Sequence, residues 1–255
     1  MSKGERTEEF NGGNKGIAGI GNRILDAVYP RRCPICDGIL LREEKWICRG
    51  CAGKVLMITG PRCRKCSSPI KDATLEYCHD CAHTSHSYEE GFAAYPYRGF
   101  MEKSLMRYKY QGRTEYAGFY ARSICLGGAS FIRRMKPEVL IPVPLHPARM
   151  RKRGYNQAEI LAFRLGKELK LPVDVRSVRR VKNTKAQKEL GRAERRKNLE
   201  HAFCVVPGRI PYRRVLLVDD IYTTGSTVDA IASLLLERGA ESVGFLVVAA
   251  GRGEG

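Results

Sequence analysis

Two adjacent carboxylates, Asp219 and Asp220, end an apolar run in the stretch VLLVDDIYTTGSTVDA, which covers residues 215–230. A helix is predicted to start just after them, and a helix start offers free backbone N–H groups and the positive end of the helix dipole. The loop between adds hydroxyl groups and predicts a phosphate monoester site made of Thr223, Thr224, Gly225, Ser226 and Thr227. The carboxylates would repel a second phosphate but accept hydrogen bonds from a diol or help to hold a divalent metal. The pattern therefore predicts a sugar phosphate ligand.

A plainer alternative is that Thr223 or Ser226 only caps the helix and that the two acids are solvated loop residues. A P-loop nucleotide hydrolase is disfavoured, because the chain contains no G-x-x-x-x-G-K-[ST] motif.

A second group of reactive side chains is a set of cysteines. Each C-x-x-C pair aims two thiolates at one point, and two such pairs complete a tetrahedral shell of four sulfurs, which favours zinc. Such a shell leaves no open position for water, so a structural zinc is predicted, with redox dithiols as the alternative. Four pairs start at intervals of 15 residues: Cys33 and Cys36, Cys48 and Cys51, Cys63 and Cys66, Cys78 and Cys81.

The pairing of these cysteines has two solutions. Sequential pairing gives two zinc ribbons, whereas nested pairing gives one interleaved rod; the sequential arrangement is simpler, but the even spacing does not distinguish them. The neighbouring His79, His83 and His86 are expected to be surface residues because enough cysteines are present. A short helix is predicted over residues 17–28, ahead of the cysteines.

The overall charge limits the partners. Lys and Arg number 45 against 27 Asp and Glu, a formal net charge of +18, which points to nucleic acid or a phosphorylated small molecule. The N-terminus has no apolar signal segment, and no uncharged run approaches the roughly 18 residues that span a bilayer. We therefore expect a soluble, cytoplasmic protein without membrane insertion, in a compartment that keeps thiols reduced.

From about residue 90 the pattern changes to strands that alternate with helices, which predicts an α/β domain with a mainly parallel, twisted sheet. In such sheets ligands bind at the carboxyl ends of the strands, where Asp219 and Asp220 lie. We expect a flexible tail over 1–15, the short helix and double zinc ribbon over 16–88, and the α/β domain over 89–255. Strands are predicted over 91–97, 138–144, 202–206, 213–219 and 242–250, and helices over 100–110, 114–132, 158–169 and 226–239.

Several motifs are similar to known families. VLLVDDIYTTGST resembles the phosphoribosyl pyrophosphate (PRPP) signature of type I phosphoribosyltransferases. IPVPLHPARMRKRGYNQAEILA, TKAQKELGRAERRKNLEHAF and the cysteine pairs resemble the ComF family of competence-associated proteins, linked to DNA uptake, over residues 17–250. The resemblance implies a sheet of the type I phosphoribosyltransferase kind. It also implies that Asp219 and Asp220 bind the ribose hydroxyls, that residues 223–227 cradle the 5-phosphate, and that Mg²⁺ bridges diphosphate and ribose oxygens while a nitrogen nucleophile displaces pyrophosphate.

The resemblance also implies a pyrophosphate loop after the strand LIPVP. The cations there are Arg149, Arg151, Lys152 and Arg153, with a solvated basic turn as the alternative. The basic run 176–197 occupies the place of the mobile loop that closes over PRPP, although its charge exceeds the demand of one diphosphate. No C-terminal hood for an acceptor follows the last strand, so the zinc module and residues 92–116 would have to provide that surface.

Two functions follow, and they are compatible. The first is a Mg²⁺-dependent phosphoribosyltransferase with an unknown acceptor. The second is a non-catalytic DNA-uptake protein that binds single-stranded DNA and competence proteins and keeps the PRPP site as a sensor or relic; a scaffold with a docking zinc module is a third possibility. A stretch of alternating basic and aromatic residues would contact the DNA, unless its tyrosines pack internally: Arg107, Tyr108, Lys109, Tyr110 and Arg113.

Overall fold

The protein is described by a computed structural model over residues 30–182, 201–208 and 210–251. The predicted tail (1–15), the predicted helix (17–28) and residues 183–197 of the basic run lie outside the described residues.

The centre of the described structure is a four-stranded sheet in the order β1-β6-β5-β2, with every neighbouring pair parallel. β3 and β4 form a separate antiparallel pair. The prediction of a mainly parallel sheet is confirmed. The strands are β1 (Gly91–Pro96), β2 (Val139–Pro142), β3 (Val178–Arg180), β4 (Phe203–Val205), β5 (Arg214–Tyr222) and β6 (Ser242–Ala250).

The helices of the α/β domain follow the predicted pattern with two differences. The helix predicted over 114–132 is two helices, because Gly127 and Gly128 interrupt it and glycine costs about 1 kcal/mol in a helix interior. The basic segment after β2, predicted as a loop, is a short helix, α6. The helices are α1 (Arg49–Ala52), α2 (His79–His83), α3 (Phe100–Tyr110), α4 (Tyr116–Gly127), α5 (Ala129–Met135), α6 (Pro147–Arg153), α7 (Gln157–Leu169) and α8 (Ser226–Glu237).

The sheet separates the core into two layers. Along β5, Val215 and Leu217 face one layer, which contains α8, whereas Leu216 and Val218 face the other, which contains α3, α4 and α7. A strand that is covered on both faces needs apolar residues at every position, which explains the uninterrupted run before Asp219. The carboxyl ends of the strands are left at one edge of this sandwich.

The cysteine module consists of two similar halves, offset by 30 residues. In each half the backbone turns back after the first pair through a left-handed residue, Asp37 (φ 63°) in one and Ser67 (φ 62°) in the other. A short helix then starts at the second pair, after Cys48 in the first half and after Cys78 in the second. The first half packs on the α4 layer of the core and the second half on the α8 layer.

Among the residues that the structure describes, every helix is too short or too polar to cross a lipid bilayer.

Candidate functional site

A cavity of about 1040 Å³ lies at the carboxyl ends of β2 and β5. It brings together the acids at the end of β5, the hydroxyl loop that follows them before α8, and the cations of α6, which are distant from both in sequence. Aromatic residues and further charged residues complete its wall: Tyr97, Glu102, Lys109, Tyr110, Tyr155 and Arg180.

The two acids have different environments. The side chain of Asp220 is buried and its Oδ2 lies 2.7 Å from Nζ of Lys109, whose side chain is 18% exposed. Asp219 accepts a hydrogen bond from the backbone N–H of Asp220 at 2.8 Å. Burial raises the pKa of Asp219 to about 6, although the positive charges of Lys109, Arg180 and Arg153 oppose the rise. Because the ionised form of Asp219 has lost much of its water, its oxygens gain from hydrogen bonds that hydroxyl groups of a ligand donate.

The hydroxyl loop is held from behind by a tyrosine. Gly225 caps α8 in the left-handed conformation (φ 75°), and a Cβ added to it would lie 2.5 Å from the hydroxyl of Tyr222. That hydroxyl is fixed by a buried hydrogen bond with Tyr88 at 2.7 Å. Only glycine fits both the conformation and the space, and the backbone N–H groups of the first turn of α8 remain available for an anion.

The basic segment after β2 folds as a helix for local reasons. Pro147 occupies the first turn, His146 Nδ1 accepts a hydrogen bond from Ala148 N at 3.2 Å, and Gly154 ends the helix in the left-handed conformation. At 100° per residue, Arg149, Lys152 and Arg153 share one face, which lines the cavity. Arg151 is on the opposite face and is exposed.

Arg180, at the end of β3, adds a fourth cation. Burial, followed by the positive charge of Arg149, lowers the pKa of Arg180 to about 10, and the carboxylate of Asp219 opposes that change. The guanidinium also lies over the ring of Phe203, 5.2 Å from its centre. The sequence places this arginine only within a long basic run, and its location beside Asp219 depends on the pairing of β3 with β4.

The basic and aromatic stretch on α3 is divided by the fold. Tyr108 is fully buried and donates a hydrogen bond to the carbonyl of Gln157 at 2.7 Å, so it is not on an exposed surface. Lys109 faces the cavity, and Tyr110 lies against Arg153, 4.9 Å from its guanidinium carbon. Arg113 pairs with Asp37 of the cysteine module at 3.0 Å, and the side chain of Arg107 lies 3.4 Å from the carbonyl of Ile35. The residues of this stretch therefore contact three different places: the protein core, the cavity and the cysteine module.

The two segments predicted to provide an acceptor surface differ in their position relative to the cavity. Within the described residues, five residues from 92–116 line the cavity and none from the cysteine module does. Tyr155 has no role in the sequence prediction, and Tyr97 and Glu102 enter it only as part of the range 92–116. Glu102 and Lys109 are seven positions apart on one predicted helix, and this spacing places both residues on the same face of that helix.

The cysteines form two sets in sequential pairing, which resolves the alternative that the spacing leaves open: Cys33, Cys36, Cys48 and Cys51 in one, Cys63, Cys66, Cys78 and Cys81 in the other. Zinc–sulfur bonds of about 2.3 Å in a tetrahedron place sulfurs about 3.8 Å apart. The Sγ atoms of Cys36 and Cys48, and those of Cys66 and Cys78, are each 3.7 Å apart. Both sets therefore fit structural zinc.

The three nearby histidines lie outside both sets. His79 and His83 are exposed, as expected. The side chain of His86 is instead only 5% exposed, because it stacks on Tyr88, with ring centres 4.7 Å apart. The expectation that His86 is a surface residue is wrong.

The second half of the module is connected to the hydroxyl loop. Its Ser68 hydroxyl donates to the carbonyl of Gly251 at 3.0 Å, and Gly251 N–H donates to the carbonyl of Tyr222 at 2.8 Å. Cys66 and Cys78 belong to the same buried cluster as Tyr88 and Tyr222. This half therefore forms the rear support of the loop.

Known proteins share both parts of this architecture. Residues 24–82 match the double zinc ribbon domain family and residues 150–255 the phosphoribosyl transferase domain family. A crystal structure of a purine phosphoribosyltransferase from Pyrococcus horikoshii aligns with a TM-score of 0.31 and 18% identity over 52% of this chain and 73% of that one.

Three curated relatives match along most of their length. Competence protein F of Haemophilus influenzae is 35% identical over 217 residues, covering 83% of this chain and 93% of that protein. Competence protein ComFC of Bacillus subtilis is 28% identical (86% and 95%), and DNA utilization protein YhgH of Salmonella typhimurium is 30% identical (84% and 94%). With its double zinc ribbon and its phosphoribosyl transferase domain, the chain belongs to the ComF family of competence-associated proteins.

Proposed function

We propose that this protein binds PRPP together with Mg²⁺ in the cavity and transfers phosphoribose to a nitrogen acceptor. The observation that carries the proposal is the meeting, in one cavity, of two carboxylates, a helix start rich in hydroxyls and a row of cations. In this proposal Asp219 and Asp220 hold the ribose hydroxyls and residues 223–227 hold the 5-phosphate. Arg149, Lys152, Arg153 and Arg180 bind the pyrophosphate group.

The charge balance of the cavity supports a polyanionic ligand. Five cations line it against three carboxylates, those of Glu102, Asp219 and Asp220. In a partly desolvated cavity such an excess attracts phosphate groups strongly. Two of the cations are held by neighbours, Arg153 by Gln157 and Arg180 by the ring of Phe203, so they would stabilise charge on the departing pyrophosphate with little rearrangement.

Magnesium fits the donor set, because hydroxyl and carboxylate oxygens suit this hard cation and Mg²⁺ prefers to share its ligands with substrate phosphates. Asp219 and Asp220 are the residues that would hold it. When bound, it would neutralise part of the charge on the ligand and its leaving group.

The proposed biological setting is DNA uptake, which the names of the relatives support. We also propose a cytoplasmic location, since eight cysteines are arranged for zinc in place of disulfides. We further propose that the chain divides at residues 88/89 into the zinc module and the phosphoribosyltransferase-like domain.

A second candidate is a protein that binds single-stranded DNA and uses the PRPP site as a sensor without turnover. The net charge of +18 favours it, because it greatly exceeds the charge of one PRPP molecule. In this case PRPP binds, but no pyrophosphate is released.

The test is calorimetric titration of the full chain with PRPP, with and without Mg²⁺, followed by a pyrophosphate-release assay with candidate acceptors. Arg149→Ala and Arg151→Ala form a matched pair, since both remove an arginine from α6 but only Arg149 lines the cavity. We expect Arg149→Ala to weaken PRPP binding about 10- to 100-fold, the value of one charge-assisted hydrogen bond, and Arg151→Ala to have little effect. The double variant Asp219→Ala with Asp220→Ala should abolish binding. If the wild-type chain does not bind PRPP, both candidates fail.

A further inference from the structure

The two halves of the cysteine module cover their sulfurs differently. Of the eight cysteines in the two sets, all except Cys36 belong to one of the two hydrophobic clusters or pack against it. Cys36 is exposed. Its counterpart 30 positions later, Cys66, is only 1% exposed. The same turn of the backbone therefore leaves one sulfur open to solvent in the first half and buries the equivalent sulfur in the second.

The residue two positions after each of these cysteines contributes to the difference. In the second half this residue is Ser68, which is buried and donates a hydrogen bond to the carbonyl of Gly251 at 3.0 Å. In the first half it is Gly38, which is exposed and has no side chain. A Cβ added to Gly38 would lie 3.3 Å from Sγ of Cys36. The absence of that side chain leaves the sulfur of Cys36 uncovered on this side.

Exposure decides which sulfur of a zinc shell reacts first. Zinc binding requires deprotonated cysteines, so all four sulfurs of a filled shell have thiolate character. The oxidation of cysteine depends on thiolate character and on exposure. Since the four sulfurs share the first property, the second one selects among them. In the first half it selects Cys36.

A second thiolate lies in position to complete an oxidation that starts at Cys36. The Sγ atom of Cys48 is 3.7 Å from that of Cys36. Cys48 is half-buried, whereas Cys33 and Cys51 are buried. A disulfide bond is about 2.05 Å long, so the two sulfurs have to approach by less than about 2 Å. Cys48 is therefore the partner that the geometry favours.

We propose that the first half of the module is a peroxide-sensitive zinc site, in which Cys36 is oxidised and Cys48 resolves it. The thiolate of Cys36 attacks one oxygen of hydrogen peroxide and becomes a sulfenic acid, while hydroxide leaves. The thiolate of Cys48 then attacks the sulfur of Cys36, a second hydroxide leaves and a disulfide forms. Each sulfur loses one electron, and the peroxide takes up both. The shell thereby loses two of its four ligands and releases its metal.

Release of the metal would also release the first half from α4. A module of this size needs its metal to fold, so its contacts with α4 depend on the intact shell. Asp37 accepts a hydrogen bond from the hydroxyl of Tyr116 at 2.5 Å and pairs with Arg113 at 3.0 Å. The ring of Trp46 covers Gly118, where an added Cβ would clash with it. Trp46 is the only tryptophan in the chain, so its fluorescence reports whether the first half is docked.

The proposal is independent of PRPP, because no described residue of the module lines the cavity. The experiment treats the zinc-saturated full chain with hydrogen peroxide and follows zinc release with a chromogenic chelator. We expect one zinc ion per chain to be released at least about tenfold faster than the other. Tryptophan emission should move to longer wavelength in the same fast phase and return after addition of dithiothreitol and zinc.

Peptide mass spectrometry at the end of the fast phase identifies the sulfurs that reacted. A disulfide between Cys36 and Cys48 is expected, together with reduced cysteines in the second half. Two glycine variants form a matched pair. Gly38→Ala places a methyl group against the sulfur of Cys36 and should slow the fast phase roughly threefold or more, whereas Gly50→Ala adds a methyl group to the same half in open space and should leave it unchanged.

The proposal is overturned if both zinc ions are released at the same rate, if the second half loses its zinc first, or if the disulfide joins other cysteines. It is also overturned if Gly38→Ala binds two zinc ions and keeps the wild-type rate. If Gly38→Ala binds less zinc, the disulfide found in the wild type decides alone. Failure of PRPP to bind is a different result, because it removes the proposed function and leaves this site unaffected.

Discussion

Asp219→Asn should stabilise the folded protein while it weakens the PRPP site. The pKa of Asp219 rises from 3.8 to about 6 because the side chain is buried, so the folded protein holds this proton more tightly than the unfolded chain. Ionisation of Asp219 at neutral pH therefore costs stability. An asparagine has the same shape and keeps the oxygen that accepts from Asp220 N.

The size of the effect follows from linkage. At about 1.4 kcal/mol per pKa unit, the rise from 3.8 to about 6 corresponds to a cost of about 3 kcal/mol. The cost is complete above pH 6 and disappears as the pH falls towards 3.8, since both states are then protonated. The variant should exceed the wild type in free energy of unfolding by about 3 kcal/mol at pH 8 and by roughly half of that at pH 5.

Urea unfolding of the zinc-saturated proteins at both pH values measures this difference. Asp220→Asn is the matched control, because it removes the negative charge 2.7 Å from Nζ of the half-buried Lys109 and should destabilise by about 3 kcal/mol. Titration with PRPP should show binding about 10- to 100-fold weaker for Asp219→Asn. Equal stability of Asp219→Asn and wild type at pH 8, or the same difference at pH 5 and pH 8, would refute the assigned environment of this carboxylate.

Two matched pairs of substitutions test the supports of the site. In Gly225→Ala the added methyl group meets the fixed hydroxyl of Tyr222, and the variant should lose about 3 kcal/mol of stability. Gly154→Ala has a similar backbone (φ 83°) but open space around the added group, so it should lose about 1 kcal/mol. Equal losses in urea unfolding would contradict the contact. Cys66→Ser and Cys36→Ser should each reduce the zinc content from two ions to one, as measured by atomic absorption. Only Cys66→Ser should also weaken PRPP binding, because Cys66 lies next to the hydroxyl loop. Equal PRPP affinities of the two cysteine variants would show that the second ribbon does not support the loop.

Local patterns predict the parts of the site that are contiguous in the chain. The apolar run before Asp219, the glycine in the hydroxyl loop and the spacing of the cysteines each have a short-range physical cause, so their elements are recognisable from the sequence. The short helix α6 is also recognisable from the sequence, because Pro147 and Gly154 are typical start and stop residues of a helix.

Long-range pairing decides the rest. Arg180 reaches the cavity only because β3 pairs with β4, and Lys109 reaches Asp220 only because α3 lies against the ends of the strands. Periodicity within one segment contains no information on such meetings. Sequential and nested cysteine pairing likewise have the same local spacing and differ only in tertiary structure.

The hydrogen bond between Ser68 and Gly251 joins positions 183 residues apart, and it has a consequence for synthesis of the chain. The second ribbon leaves the ribosome well before Tyr222 and β6, against which it packs. During translation the ribbon therefore depends on its metal alone, with a hydrophobic side exposed, until β6 is complete. Zinc supply during synthesis should thus influence how much protein reaches the native state, even though the metal takes no part in the chemistry proposed for the cavity.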